Sequence, residues 1–424
     1  MQNFHRTMAI SAIVISCSLF AEAATTKSTL TLSETVRATL QKNPQLAGYT
    51  FKVNALAGEK HTASLRPEYR ISTDLENVAG SGEFSGTEAS ELSISLSSAI
   101  ELGGQRDARM NVVTARQQQL QSSQRVLTLD VITAVTHQFI QLLTAQEQLA
   151  LQEESHQLIQ QTLNSLTRQV QAGGMADSEL LRGNAALARS KIALQKARQI
   201  VTSERVKLSA YWADSSPDFT VVKSDLYAVP AAMPLPSLLK KLSSNPDLEQ
   251  LTKEVDVRIA EVQQARSERR SSLEWSAGIR RLQASKDSAV VLGLSMPLGT
   301  VSRASGAIIT ANANQQSAEI ERDNARIQLE TQLISVYESH RQAVDEVDVL
   351  RDQVLPSLKK AMRSTASAFD QGRYSYMELN LAQTQLLDAQ QALVEAAALM
   401  QETRIELERM IGAELNEKNF EVTP

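Results

Sequence analysis

The chain writes one design twice, about 200 residues apart, and this duplication constrains the fold more than any other feature. AGGMADSEL (172–180) and QGRYSYMEL (371–379) each hold a glycine, Gly173 or Gly372, then five mostly small or polar residues, then Glu179-Leu180 or Glu378-Leu379, at an offset of 199. The apolar heptad that follows repeats in the same register: Leu180, Leu187, Leu194, Val201 and Leu208, then Leu379, Leu386, Leu393, Met400 and Leu407. Beside it runs a small-residue stripe, Gly183, Ser190 and Ala197 answered by Ala382, Ala389 and Ala396. Large beside small lets helices approach closely, as in a tight antiparallel coiled coil. Asn43-Pro44 is answered by Asn245-Pro246.

Each unit reads in one order. A helix begins at the Asn-Pro, where proline suits a first turn, and runs to about Arg66 or Arg270. Two alternating segments follow, with Tyr69, Ile71, Thr73 and Leu75 on one face of the first and Leu92, Ile94, Leu96, Ile100 and Leu102 on one face of the second. The later unit offers Leu273, Trp275, Ala277 and Ile279, then Val290, Leu292, Leu294, Met296 and Leu298. A period of two with one apolar face predicts strands. From Gln105 to Gln171 there is no proline, which predicts a helix of roughly 100 Å. The second copy is expected from about Ser302 to Gln371, broken or kinked at Pro356. At Gly173 and Gly372 the chain turns back, and the returning helices run to about Tyr211 and Ile411. Between the units, residues 215–237 hold four prolines, predicting a non-helical connector with a short strand near Phe219 to Val222.

His5 and Arg6, the apolar run Met8 to Phe20 and Ala21-Glu22-Ala23 form an export signal, so the mature chain is expected to start near Ala24. Cys17, the sole cysteine, lies inside that run; a lipid anchor there is the competing reading. Beyond the signal no segment reaches 18 consecutive apolar residues, so a membrane would be entered as a barrel. The organisation expected is signal peptide 1–23, first repeat 24–211, connector 212–237, second repeat 238–411 and tail 412–424. Net charge is −5 with both signs interleaved, which gives no footprint for nucleic acid. There is no G-x-x-x-x-G-K-[ST], no H-E-x-x-H and no Cys/His cluster, so no catalytic residue, cofactor or metal site is assigned. His61, His137, His156 and His340 are scattered, and His156 falls on the heptad seam.

Four strands cannot close a membrane barrel, because open edges would strand backbone groups in hydrocarbon. Further copies must complete it, and twelve strands from three copies can enclose water where eight cannot. A half-buried sheet in a water-soluble protein is the alternative. An exported coiled-coil stalk without conduction, or a periplasmic helical chaperone, competes at the level of function. The duplication favours a conduit, since a stalk has no reason to fold back at two matched glycines.

The order strand pair, very long helix, glycine turn and heptad helix, all duplicated, resembles the TolC-type outer-membrane efflux factors over essentially the whole mature chain. LSSAIELGGQRDAR (96–109) is similar to the strand-to-helix junction of the CzcC-like heavy-metal branch, with Glu101, Gly103, Gly104, Arg106 and Arg109 in place and Gln105 where lysine is usual. MPLGTVSRAS (296–305) is a degenerate second copy. The resemblance implies a mainly α homotrimer with a twelve-stranded β-barrel in outer-membrane lipid of a Gram-negative bacterium and a coiled-coil tunnel in the periplasm. It also implies an adaptor (membrane fusion) protein and an inner-membrane RND-type pump as partners, with heavy-metal cations as cargo and drugs or organic solutes as the alternative. Gly173, Asp177, Glu179, Leu180, Gly372, Arg373, Glu378 and Leu379 then fall at the gate and adaptor-docking tips. Glu378 takes the first of two acidic positions expected there, and Leu381 occupies the second. Whether Glu378 and Glu179 form charged rings or are helix-start carboxylates favoured by the dipole is open at this stage.

Overall fold

A computed structural model describes residues 29–229 and 233–412. The signal peptide, Cys17 and the tail beyond residue 412 lie outside the described residues. In chain order the elements are β1 (Thr29–Leu30), α1 (Leu32–Lys42), α2 (Pro44–Ser64), β2 (Arg70–Glu76), β3 (Glu91–Ile100), α3 (Gln105–Gln171) and α4 (Asp177–Ser209). Then come β4 (Val221–Val222), α5 (Leu235–Leu242), α6 (Pro246–Ser267), β5 (Leu273–Leu282), β6 (Ser288–Ser295), α7 (Thr300–Val349), α8 (Leu355–Asp370) and α9 (Tyr376–Met410).

The Asn-Pro pairs start helices for a reason that reaches beyond local propensity. Asn43 accepts from the N–H groups of Gln45 and Leu46, and Asn245 from those of Asp247 and Leu248. Each asparagine also donates its amide to the end of its own unit's returning helix, Asn43 to the Tyr211 carbonyl at 2.9 Å and Asn245 to that of Met410 at 2.6 Å. One side chain thus caps one helix and joins it to another, in both repeats. The short helices α1 and α5, which precede the Asn-Pro, were not read from the pattern; α5 also shortens the non-helical connector, which ends before Leu235.

The long helix α3 spans 67 residues, within the limits read from the sequence. Its copy is interrupted: α7 has 50 residues, a five-residue π segment covers Leu350–Val354, and α8 continues for 16. Pro356 does not simply kink the helix. It lacks an N–H and its ring would press on the carbonyl four residues back, and the wider π turn just before it absorbs both problems.

The main sheet runs β2-β3-β5-β6, all antiparallel. Ile71 pairs with Leu96, Ile94 with Ile279, and Ala277 with Leu292, so the apolar positions of all four strands share a face. Ile71, Ile279, Val290, Leu292 and Leu294 are each more than 60% exposed. The opposite face is polar: Arg280 lies 3.0 Å from Glu91 and 3.4 Å from Glu76, and the Ser72 and Ser95 hydroxyls are 2.7 Å apart.

A second, two-stranded parallel sheet (β1 with β4) joins α1, Trp212 and Phe219 in a belt against the helices. The largest core lies there, with Val135, Phe139, Ile140, Leu142 and Leu143 of α3 meeting Met400 and Ile405 of α9. By length and composition α3 could cross a membrane. Its most apolar stretch is instead the wall on which the belt packs.

Candidate functional site at the hairpin tips, the corners and the grooved face

Both hairpins turn through the same bonds. Gly173 and Gly372 take left-handed φ of 77° and 69°. Gly174 N–H donates to Gln169 O and Gly173 N–H to Val170 O, both at 2.9 Å; Arg373 and Gly372 repeat this onto Ala368 and Phe369. These are Schellman closures, which need a residue free of a Cβ at the left-handed position. The two tips pack on one another: Leu166 and Met175 of the first hairpin meet Met362, Phe369, Tyr376 and Leu379 of the second. Gln383 donates to Thr162 at 2.8 Å across that contact.

Glu378 stands at a helix start. Ser375 Oγ accepts from the Glu378 N–H at 3.3 Å and a Glu378 oxygen accepts from the Ser375 N–H at 2.7 Å, a reciprocal capping box opening α9. Asp177 and Glu179 stand in the first turn of α4, where negative charge is favoured. One Glu179 oxygen lies 3.2 Å from Arg182; the other is buried without a hydrogen bond among the described residues. Tyr376, not singled out from the sequence, is buried at the tip, and burial raises its hydroxyl pKa, with Glu179 adding to the effect. The signal for Ser375 was present as S-x-x-E; nothing in the sequence marked Tyr376.

The corner residues form a separate group at the other end of α3. Arg109 makes a two-pronged ion pair with Glu101, its second prong at 3.1 Å, and Arg106 donates to Ser64 O at 2.6 Å. Gln105 donates to Arg270 O at 2.9 Å. Gly103 (φ 97°) leaves room for the Arg270 side chain, and Gly104 (φ 74°) is the N-cap of α3. The motif is a staple that bends strand into helix and ties the corner to the ends of α2 and α6. In the second unit Gly299 (φ 78°) makes the same bend, with Thr300 donating to Arg269 O at 2.9 Å.

Between these ends, two grooves open on one side of α3. The upper is lined by Lys52 and Glu59 of α2, Arg116 and Gln119 of α3, and Glu254, Arg258 and Glu261 of α6. The lower is lined by Gln141, Thr144 and Gln148 of α3, Ile200 and Glu204 of α4, and Glu402 of α9. Arg116, Ser123, Gln141 and Gln148 are spaced by close to whole helical turns, so both grooves share a face. The belt holds the opposite face, where Gln146 bonds to both N–H and C=O of Val222 and Glu147 accepts from Tyr227 at 3.2 Å. Histidines sit in seams: His156 Nδ1 is 2.8 Å from Ser190 Oγ, and His340 Nδ1 is 3.1 Å from Met400 O.

A strand sheet with an exposed apolar face, set in series with duplicated helical hairpins built on a helix of roughly 100 Å and grooved along one face, defines a class: channel proteins of the outer membrane. The family model "Outer membrane efflux protein" matches residues 36–214 and 238–413, and the chain belongs to that family. It is 26% identical over 358 residues, 82% of each chain, to the cobalt-zinc-cadmium resistance protein CzcC of Cupriavidus metallidurans. Among solved structures, CusC aligns with a TM-score of 0.75 at 16% identity over 90% of this chain and 92% of that one. The CmeC outer membrane channel of Campylobacter jejuni aligns at 0.74 and 15% over 93% and 87%. The protein is therefore an outer-membrane channel component of an efflux system, and the non-conducting stalk falls away.

Proposed function

We propose that three copies of this chain close a tube: a twelve-stranded barrel in the outer membrane continued by a helical tunnel in the periplasm. The observation that carries this reading comes from comparing the repeats. Phe139 on α3 and Ile405 on α9 are fully buried in one core within the chain. Their repeat counterparts are Ile334 on α7, at the offset of 195 that relates the N-caps Gly104 and Gly299, and Val206 on α4, at the offset of 199; they are 43% and 40% exposed. In a closed ring, α7 of one copy meets α4 of the next as α3 meets α9 within a chain, and these two residues cover one another. β2 and β6, the open edges of the sheet, pair in the same step.

The tips Gly173 to Leu180 and Gly372 to Leu379 then ring the periplasmic mouth. They serve as gate and as docking points for a periplasmic adaptor that connects to an inner-membrane pump. The cargo is heavy-metal cations, a reading supported by the identity to CzcC, whose own name assigns it cobalt, zinc and cadmium resistance. The two repeats, 24–211 and 238–411, act as equivalent wall segments joined by the connector 212–237. Deleting the gene and measuring growth against cobalt, zinc, cadmium and copper tests the cargo. Metal sensitivity is expected, and sensitivity confined to organic toxicants overturns it.

A further inference from the structure

The two returning helices occupy equivalent places in the duplicated design, yet they carry opposite charge. α4 holds seven basic and three acidic residues, and α9 six acidic and two basic. The opposition is registered position by position. At the offset of 199, Arg189 answers Asp388 and Lys196 answers Glu395. These four side chains belong to exposed residues, and among the described residues none of them has an ion-pair partner.

Their direction follows from the grooves. Glu402, seven residues on from Glu395, lines the lower groove. Asp388, Glu395 and Glu402 repeat every seven residues and so form one row down that side of α9. Arg189 and Lys196 take the same register on α4, whose Ile200 and Glu204 line the same groove. The belt lies on the other face, so the grooved face is the lumen once the ring closes. α9 is already flanked by α3, α7 and α8 within the chain and still leaves Asp388 and Glu395 exposed; in the proposed ring a neighbouring copy would flank α4 in the equivalent way and leave Arg189 and Lys196 open. The upper groove differs, because its charges cancel locally: Arg116 lies 3.1 Å from Glu261, and Arg258 lies 2.9 Å from Glu261 and 2.5 Å from Glu254.

We propose that the lower tunnel carries alternating lengthwise stripes, acidic from Asp388, Glu395 and Glu402 and basic from Arg189 and Lys196, and that their balance sets the ion preference of the conduit. This rests on the three-copy tube. Unpaired wall charges act on ions within a screening length, about 10 Å at 0.1 M salt and about 3 Å at 1 M. The acidic stripe draws cations and the basic stripe holds their counter-ions, so neutralising one unbalances the other.

The test is the reversal potential of the full-length protein in planar bilayers under a potassium chloride gradient. Asp388→Asn with Glu395→Gln is compared with Arg189→Gln and Lys196→Gln, alongside a four-fold variant that exchanges the two charge pairs between the helices. The acidic pair's loss should shift preference toward chloride, the basic pair's loss toward potassium, and the exchange should return it near the parent, all three weakening in 1 M salt. Unshifted potentials, or shifts in one direction for both pairs, with parental conductance retained, overturn the stripes. A parent protein that conducts nothing overturns the tube instead.

Discussion

At the scale of residues, the corner glycines separate two costs that the sequence alone merges. Gly103→Ala adds both left-handed strain and a Cβ within 3 Å of the Arg270 Cβ, whereas Gly104→Ala meets open space and adds only the strain. Each left-handed alanine costs about 1–2 kcal/mol, so Gly103→Ala should lower the melting temperature clearly more than Gly104→Ala. Equal losses would mean that the contact with Arg270 carries no weight. Ser375→Ala removes half of the capping box and should cost about 1 kcal/mol, visible as faster amide exchange in the first turn of α9. His340 supplies a pH dependence. Burial, with Arg404 nearby, lowers its pKa below the ordinary 6.5, and its bond to Met400 O opposes this only in part. The unfolded chain therefore takes up the proton first, so stability should fall as pH drops through 6.5 toward the folded value and then level off. His340→Gln should flatten that segment of a melting-temperature profile; an unchanged slope would place the acid sensitivity elsewhere.

At the scale of elements, what was legible in the sequence was whatever repeats or alternates. The limits of α3, the two glycine turns, four strands and the short β4 follow from periodicity and turn chemistry acting within a few residues. α1 and α5 escaped because each is short and ends within three residues of an Asn-Pro, whose stronger signal marks the next helix. The π segment before Pro356 escaped because a proline announces that an N–H is missing, while the way the helix absorbs it depends on neighbours. The corner residues were legible as a motif but not as a staple, since Ser64, Arg270 and Glu101 come together only in the fold. Lateral packing belongs to this scale as well. Val206→Glu or Ile334→Glu places a charge on a surface exposed in the single chain, so the chain should still fold while three-copy assembly in detergent is lost. Retained assembly with either variant would show that these faces do not meet.

At the scale of the whole molecule, one polypeptide offers two open sheet edges, an apolar sheet face without cover and two repeats whose equivalent surfaces are unequally buried. Each of these is an unmet requirement in a lone chain; the proposed ring of three would meet the edges and the repeat surfaces, and membrane lipid the apolar face. In the proposed ring, the length of α3 would set the mouth at the paired tips some 100 Å from the strand corners. The measurement that bears most directly on this is the mass of the native protein extracted from membranes in mild detergent. Three chains per particle, requiring detergent to remain in solution, is the expected result, and a water-soluble single chain would contradict it.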